Sequence, residues 1–332
     1  MTLNKTPAKI VLLLAGLWAG AAFAQAPCAN RGDLDQRYCD ADRDLVADRP
    51  TDAKALQNPS ALVFSYTPVE DPAVYENVFA DFMTHLSKVT GKRIRWFPAE
   101  SYAAQVEAMR SGRLHIAGVA SGPTTFAVNL AGFVPVVAMQ RANGTVGYTL
   151  QLITQRESAI KSVADLKGKR VAHVAPSSNS GDLAPRALFK AMGVEPSKDY
   201  QVLYSGKHDN SIMGVVNKDY DAAPVASTVV ERMQARGMFK PDALRIVYES
   251  KPFPRTAFGV AHNLTPELQA KIKEAFVSFD FKKSKLATEF KDIERFAPIS
   301  YRDNWVDVRT IQKAAGVTYT QESLSKLGRK AE

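Results

Sequence analysis

Two cysteines, five histidines and three tryptophans are all that this chain of 332 residues carries of those types. A disulfide scaffold needs far denser cysteine, so the fold must rest on a hydrophobic core, with Cys28 and Cys39 available for one local bridge in an oxidising compartment. The histidines are dispersed without a His-x-x-x-His spacing, which removes the usual signature of a catalytic zinc site. No Gly-x-Ser-x-Gly elbow occurs, so Ser180, His208 and Asp209 or Asp221 offer the residue types of a hydrolytic triad without its framework. Charge of one sign is nowhere concentrated: the formal net charge is +9, but no block of five like charges exists, and nucleic-acid binding is not expected. No catalytic residue, cofactor or resident metal is expected either.

Long apolar runs are also missing, with one exception at the start. Lys5 and Lys9 precede an apolar run from Ile10 to Trp18, and Ala22-Phe23-Ala24 follows as a small-residue cleavage site. This is the pattern of a signal peptide over residues 1–24, which implies export to the periplasm. Cys28 lies too far from that site for a lipoprotein box, and no later stretch is long enough to span a bilayer. Residues 25–59 read as a polar, partly ordered leader. Within it Asp40, Asp42 and Asp44 stand at every second position, as in a calcium loop, but Leu45 occupies the sixth position where glycine is expected and no bidentate Glu follows.

From residue 60 strand and helix patterns alternate: strands at 61–66, 93–97 and 114–119, with helices at 73–88 and 103–110 between them. A second series has strands at 148–154, 168–175, 200–204 and 220–225, with helices from 183 and at 210–216. A strand at 257–262 and a helix at 266–279 return to the first unit, and helices near 305–315 and 321–327 are expected to pack outside. The fold class is therefore α/β, with two lobes, each a mixed sheet flanked by helices. Lobe 1 comprises 60–147 and 256–332, lobe 2 comprises 148–255, and two crossovers near Tyr148 and Lys251–Pro254 form the hinge. A ligand belongs in the cleft between them.

Pro176-Ser-Ser-Asn-Ser-Gly181 lies at a strand-to-helix junction. Ser178, Asn179 and Ser180 are ordinary helix-capping residues, yet a helix start also offers free backbone N–H groups, which makes such a turn an anion cradle. Ser121-Gly122-Pro123-Thr124 sits at a similar junction in the first lobe, either as a second cradle or as a plain turn. Tyr66 and Thr67 end the first strand and are candidates on the same geometry.

Ala164-Asp-Leu-Lys-Gly-Lys-Arg-Val-Ala172, the turn Ser177-Ser-Asn-Ser-Gly-Asp-Leu-Ala-Pro185 and Gly206-Lys-His208 resemble the periplasmic phosphonate/phosphite/phosphate-binding proteins of ABC importers, over about residues 62–300. The resemblance implies a type II periplasmic-binding fold. It also implies that a tetrahedral phosphorus group is gripped by Ser178, Asn179, Ser180, Tyr102, Tyr148 and His208. Taken alone, Tyr102 and Tyr148 read equally as packing aromatics and His208 as a surface-loop residue. Relatives that take aminated phosphonates pair the ammonium with carboxylates, and by alignment those positions here are Thr228 and Thr256. An unpaired buried ammonium is costly, so the expected ligand is a small phosphorus oxyanion without an amine: phosphite, phosphate or an alkylphosphonate. Arg255 adjoins one of these positions and stays open as a complement to extra negative charge, and Asp221 as a cleft residue. The implied partners are the ligand and an ABC permease at the inner membrane, with the protein a monomer. A sensory receptor of the same ligand class and, further off, a secreted hydrolase are the alternatives.

Overall fold

Alternating apolar segments produce thirteen strands in the computed structural model, which describes residues 28–327; the signal peptide assigned to 1–24 lies outside the described residues. In chain order they are β1 (Ala61–Tyr66), β2 (Arg93–Trp96), β3 (Ile116–Val119), β4 (Phe133–Arg141), β5 (Gly147–Tyr148), β6 (Leu150–Gln155) and β7 (Arg170–His173). There follow β8 (Gln201–Tyr204), β9 (Ala222–Ala226), β10 (Leu244–Glu249), β11 (Phe253–Pro254), β12 (Ala257–Ala261) and β13 (Ile293–Pro298). One six-stranded sheet has the order β13-β4-β12-β3-β1-β2, and one five-stranded sheet the order β10-β6-β9-β7-β8. β5 and β11 form a separate antiparallel ribbon, pairing Tyr148 with Phe253 and Gly147 with Pro254, where the chain passes out of the first sheet and back.

In both sheets the central strands are buried on both faces and the edges are not. β3, β9 and β12 have no exposed residue, as expected of strands covered by helices on two sides. The lobe 1 core is aromatic, with Phe64, Phe79, Phe82, Phe258, Phe276 and Phe296 all buried and meeting at edge and stacked angles. Each such side chain contributes about 1.5–3 kcal/mol of burial free energy. Lobe 2 is built from smaller residues, such as Leu150, Leu152, Ile153, Val171 and Val225.

Several elements escape the sequence reading. β4 carries Pro135, which a central strand normally excludes, and the ladder to β12 slips there, between Phe258 and Gly259. β10 and β13 are edge strands whose charged residues obscure their alternation. The helix Ser227–Ala235 was also not anticipated.

One expectation is corrected. The helix Val306–Ala314 does not simply lie outside: it touches both the lobe 1 helix Ser121–Ala131 and the lobe 2 helix Ala184–Ala191. Beside it Trp305 is fully buried, and its indole N–H donates to the carbonyl of Ser121 at 2.9 Å. The leader, expected as a polar, partly ordered segment, also has apolar anchors. Leu34, Tyr38, Val46 and Ala47 are buried, Asp35 N–H donates to Asn129 O, the Arg37 guanidinium donates to Leu130 O, and Cys28 and Cys39 form a disulfide.

Candidate functional site

The serine-rich turn begins where β7 ends. Ser178 is the N-cap of a wide turn, Asn179–Leu183, which runs into the helix Ala184–Ala191. Its Oγ accepts the Gly181 N–H at 3.1 Å, so the capping reading holds for Ser178. Ser180 has no such duty: it is buried and its Oγ has no hydrogen-bond partner among the described residues. Asn179 Nδ2 donates to the Tyr148 hydroxyl at 3.2 Å, tying the turn to the hinge ribbon.

Lobe 1 faces this turn closely enough to exclude any side chain at Gly122. A Cβ there would lie 2.2 Å from Ser177 O and 2.7 Å from Asn179 N, so glycine is what lets the two backbones meet. Thr124 spends its hydroxyl on Val119 O and Ala120 O. Gly122 and Thr124 therefore shape the contact and do not line the pocket, unlike Ser121. Thr67 is buried but also outside the lining.

His208 is not a surface-loop residue; it is 2% exposed and opens the helix His208–Val216. Its Nδ1 accepts the Ala226 N–H at 3.2 Å, which places the ring proton on Nε2, 3.3 Å from Ser178 Oγ. Burial pushes its pKa down to about 3, with Glu70 only partly opposing, so the imidazole is a neutral donor at pH 7. Ser178 Oγ, accepting from Gly181 and His208, keeps its own proton to donate.

These groups share one pocket. Tyr66, Tyr102, Ser121, Tyr148, Ser178, Asn179, Ser180 and His208 all line it, as do Thr228, Arg255 and Thr256. The hydroxyls of Tyr102, Ser121 and Ser180 are buried without partners among the described residues. Burial holds the phenols of Tyr102 and Tyr148 above their ordinary range, so both remain protonated donors. Asp221 is elsewhere: its carboxylate accepts the Arg170 N–H at the start of β7.

On the second wall, where Thr228, Thr256 and Arg255 were named from the sequence, Arg232 and its carboxylate partners were missed. Arg232, on the lobe 2 helix Ser227–Ala235, lines the pocket and reaches across to Glu70 of lobe 1, with Nη2 at 2.8 Å and Nε at 3.2 Å from Oε2. Glu289, also of lobe 1, lies 3.3 Å from Arg232 Nε, while Arg236 and the Tyr75 hydroxyl complete the cluster around Glu70. Burial opposes both charges, yet Arg232 keeps Glu70 below the usual carboxylate range, and Tyr75 and Glu70 keep Arg232 firmly protonated. Further bonds cross the cleft from His208 N–H to Val69 O and from Asp71 N–H to Asp209 Oδ2.

A family model described as "ABC transporter, phosphonate, periplasmic substrate-binding protein" matches residues 64–305. The phosphate-import protein PhnD of Mycolicibacterium smegmatis is 29% identical over 243 residues, covering 69% of this chain and 75% of that protein. The phosphonates-binding periplasmic protein of Escherichia coli is 24% identical over 231 residues, 68% of each chain. PhnD1 of Prochlorococcus marinus, solved with methylphosphonate, superposes with a TM-score of 0.69 at 19% identity, covering 78% of this chain and 99% of that one. A two-lobed fold, a cleft walled by buried donors and a family match across most of the chain agree: this protein belongs to the periplasmic phosphonate substrate-binding proteins of ABC transporters, which carry solutes and are not enzymes.

Proposed function

We propose that the protein captures a small phosphorus oxyanion without an amine (phosphite, phosphate or an alkylphosphonate) in the interlobe cleft and hands it to an ABC permease at the inner membrane. The observation that carries this reading is the set of buried, unpartnered hydroxyls of Tyr102, Ser121 and Ser180 converging with Ser178 on one pocket. A buried site with fixed donors suits a tetrahedral oxyanion and penalises any ligand that leaves a donor unpaired. Residues 1–24 direct export, lobe 1 is taken as 60–147 with 256–332, and lobe 2 as 148–255. The ligand docks on one lobe and the lobes close about the β5–β11 ribbon, bringing Arg232 to Glu70.

Thr228 and Thr256 line the pocket where aminated ligands need carboxylates, and two arginines stand beside them. An ammonium there meets repulsion instead of a counter-ion. Calorimetric titration of the mature protein with phosphite, phosphate, methylphosphonate, 2-aminoethylphosphonate and sulfate tests the reading. Tightest binding by one of the first three supports it, and tightest binding by the aminated compound or by sulfate overturns it.

A further inference from the structure

Arg255 differs from every other cation near the cleft. It is 7% exposed, lines the pocket, and its Nη1 is buried with no acceptor. No carboxylate pairs with it among the described residues; Asp292, the acid whose field it feels most, is held by Arg141. Burial brings its pKa down to about 10, so it is still charged at neutral pH. The Tyr66 hydroxyl lies in the field of Arg232 and Arg255 beside Thr256, whereas that of Tyr148 lies beside Ser180, Asn179 and Ser121. The pocket thus has a neutral donor end and a cationic end.

Resting on the reading of this cleft as a phosphonate site, we infer that Arg255 receives a second anionic group, and that the preferred ligand class is a phosphonate whose alkyl tail ends in a carboxylate. A buried guanidinium is matched by a planar, bidentate acceptor, which a carboxylate supplies and a methyl group does not. Thr228 and Thr256, small and uncharged, leave that end open to such a tail. The test is calorimetry on the wild-type protein with methylphosphonate and phosphonoacetate. Phosphonoacetate is expected to bind at least about tenfold more tightly, and Arg255→Gln to weaken it far more than methylphosphonate, so that the preference collapses. Equal wild-type affinities overturn the inference while leaving the phosphonate site intact. Equal losses in Arg255→Gln also overturn it, because Arg255 then serves the phosphorus group itself. Failure of both ligands to bind the wild type refutes the underlying site instead.

A different observation carries a second inference, in the leader outside the family match. One carboxylate oxygen from each of Asp40, Asp42 and Asp44 lies within 4.8 Å of the others. Asp40 is 1% exposed, and its Oδ1 is buried with no hydrogen-bond partner. No lysine or arginine is paired to Asp40, Asp42 or Asp44 among the described residues. Leu45, whose identity argued against a calcium loop, has φ +70°, the left-handed conformation that glycine would supply. We infer that this segment binds a calcium ion, which fixes the leader onto lobe 1 beside the Cys28–Cys39 disulfide. Oxygen-only ligands on a short loop suit Ca²⁺ better than Mg²⁺. The mature chain, freed of metal with EDTA, is expected to take up Ca²⁺ with measurable heat and a raised Tm, with a smaller response to Mg²⁺ and none in Asp42→Asn/Asp44→Asn. Absence of both heat and Tm shift in the wild type at millimolar CaCl₂ overturns it.

Discussion

The two walls of the cleft solve the same problem by opposite means. On the Ser178–Ser180 side all donors are neutral: hydroxyls, an amide and an imidazole whose pKa has been pushed down to about 3. On the Arg232–Arg255 side they are fully charged guanidiniums. A neutral wall is inexpensive to bury, because no ion is stripped of water, and it still presents several donor hydrogens to an anion. The charged wall is tolerable only where counter-ions exist. Arg232 has Glu70 and Glu289 from the other lobe; Arg255 has none among the described residues. In the proposed function the neutral wall reads the ligand, and the paired part of the charged wall reports lobe closure.

The sharpest way to break this division is Glu70→Ala. It takes from Arg232 the nearer of its two carboxylates and leaves Glu289, at 3.3 Å, as its remaining ion-pair partner in the closed arrangement, a penalty at the lower end of the about 3–5 kcal/mol for removing one partner of a buried pair. The expected outcome is a shift toward open lobes, seen as a larger radius of gyration by small-angle scattering in saturating ligand, and a loss of affinity of two orders of magnitude or more. An unchanged scattering profile and affinity would show that the ionic cluster plays no part in closure. Double replacement of Glu70 and Arg232 by Gln and Met is expected to recover part of the loss, because no orphan charge remains.

How far the walls could be read from the sequence follows from how local each one is. The turn 176–181 was legible because its donors are consecutive residues between a strand and a helix. Tyr102, Tyr148 and His208 came with the family pattern. Glu70 and Arg232 are 162 residues apart and belong to different lobes, so no local periodicity links them. Each alone is an ordinary surface-type residue. Fold elements failed for similar reasons: Pro135 disguised β4, and the leader's anchors Leu34 and Tyr38 are isolated apolar residues in a polar stretch, recognisable only once Asn129 and Leu130 are placed beside them.

The neutrality of the reading wall is tested by pH. The unfolded chain protonates histidine near pH 6.5, whereas folded His208 resists until about 3. Stability contributed by this group is therefore complete above about pH 6.5 and is lost as pH falls toward 3, with a slope near 1.4 kcal/mol per pH unit. His262, with its pKa lowered to about 4 by burial and Arg37, adds to the same trend. In denaturant titrations at pH 7, 6 and 5, His208→Gln should reduce the slope by about one proton, since the amide can still donate toward Ser178. A slope identical to wild type would mean that His208 is not held neutral.

Ser180→Ala removes a buried hydroxyl that has no other partner, so its cost should fall on binding alone. A hydrogen bond to a charged acceptor is worth about 1.5–3 kcal/mol, which predicts a ten- to hundredfold rise in Kd for the best oxyanion with an unchanged Tm.

Ser178→Ala is the finer test, because one atom serves two masters. Its Oγ caps Gly181 N–H at 3.1 Å and faces His208 Nε2 at 3.3 Å, which leaves its own proton available to a ligand. Loss of the cap costs about 1 kcal/mol of stability, enough to lower Tm by about 1–2 °C in a chain of this size. Affinity should fall as well, through the lost donor and the freed imidazole. The pair of variants thus separates what sequence reading leaves fused: affinity without stability at Ser180, both at Ser178. If Ser178→Ala lowered Tm and left Kd untouched, the hydroxyl would be a cap and nothing more, and the neutral wall would begin at Asn179.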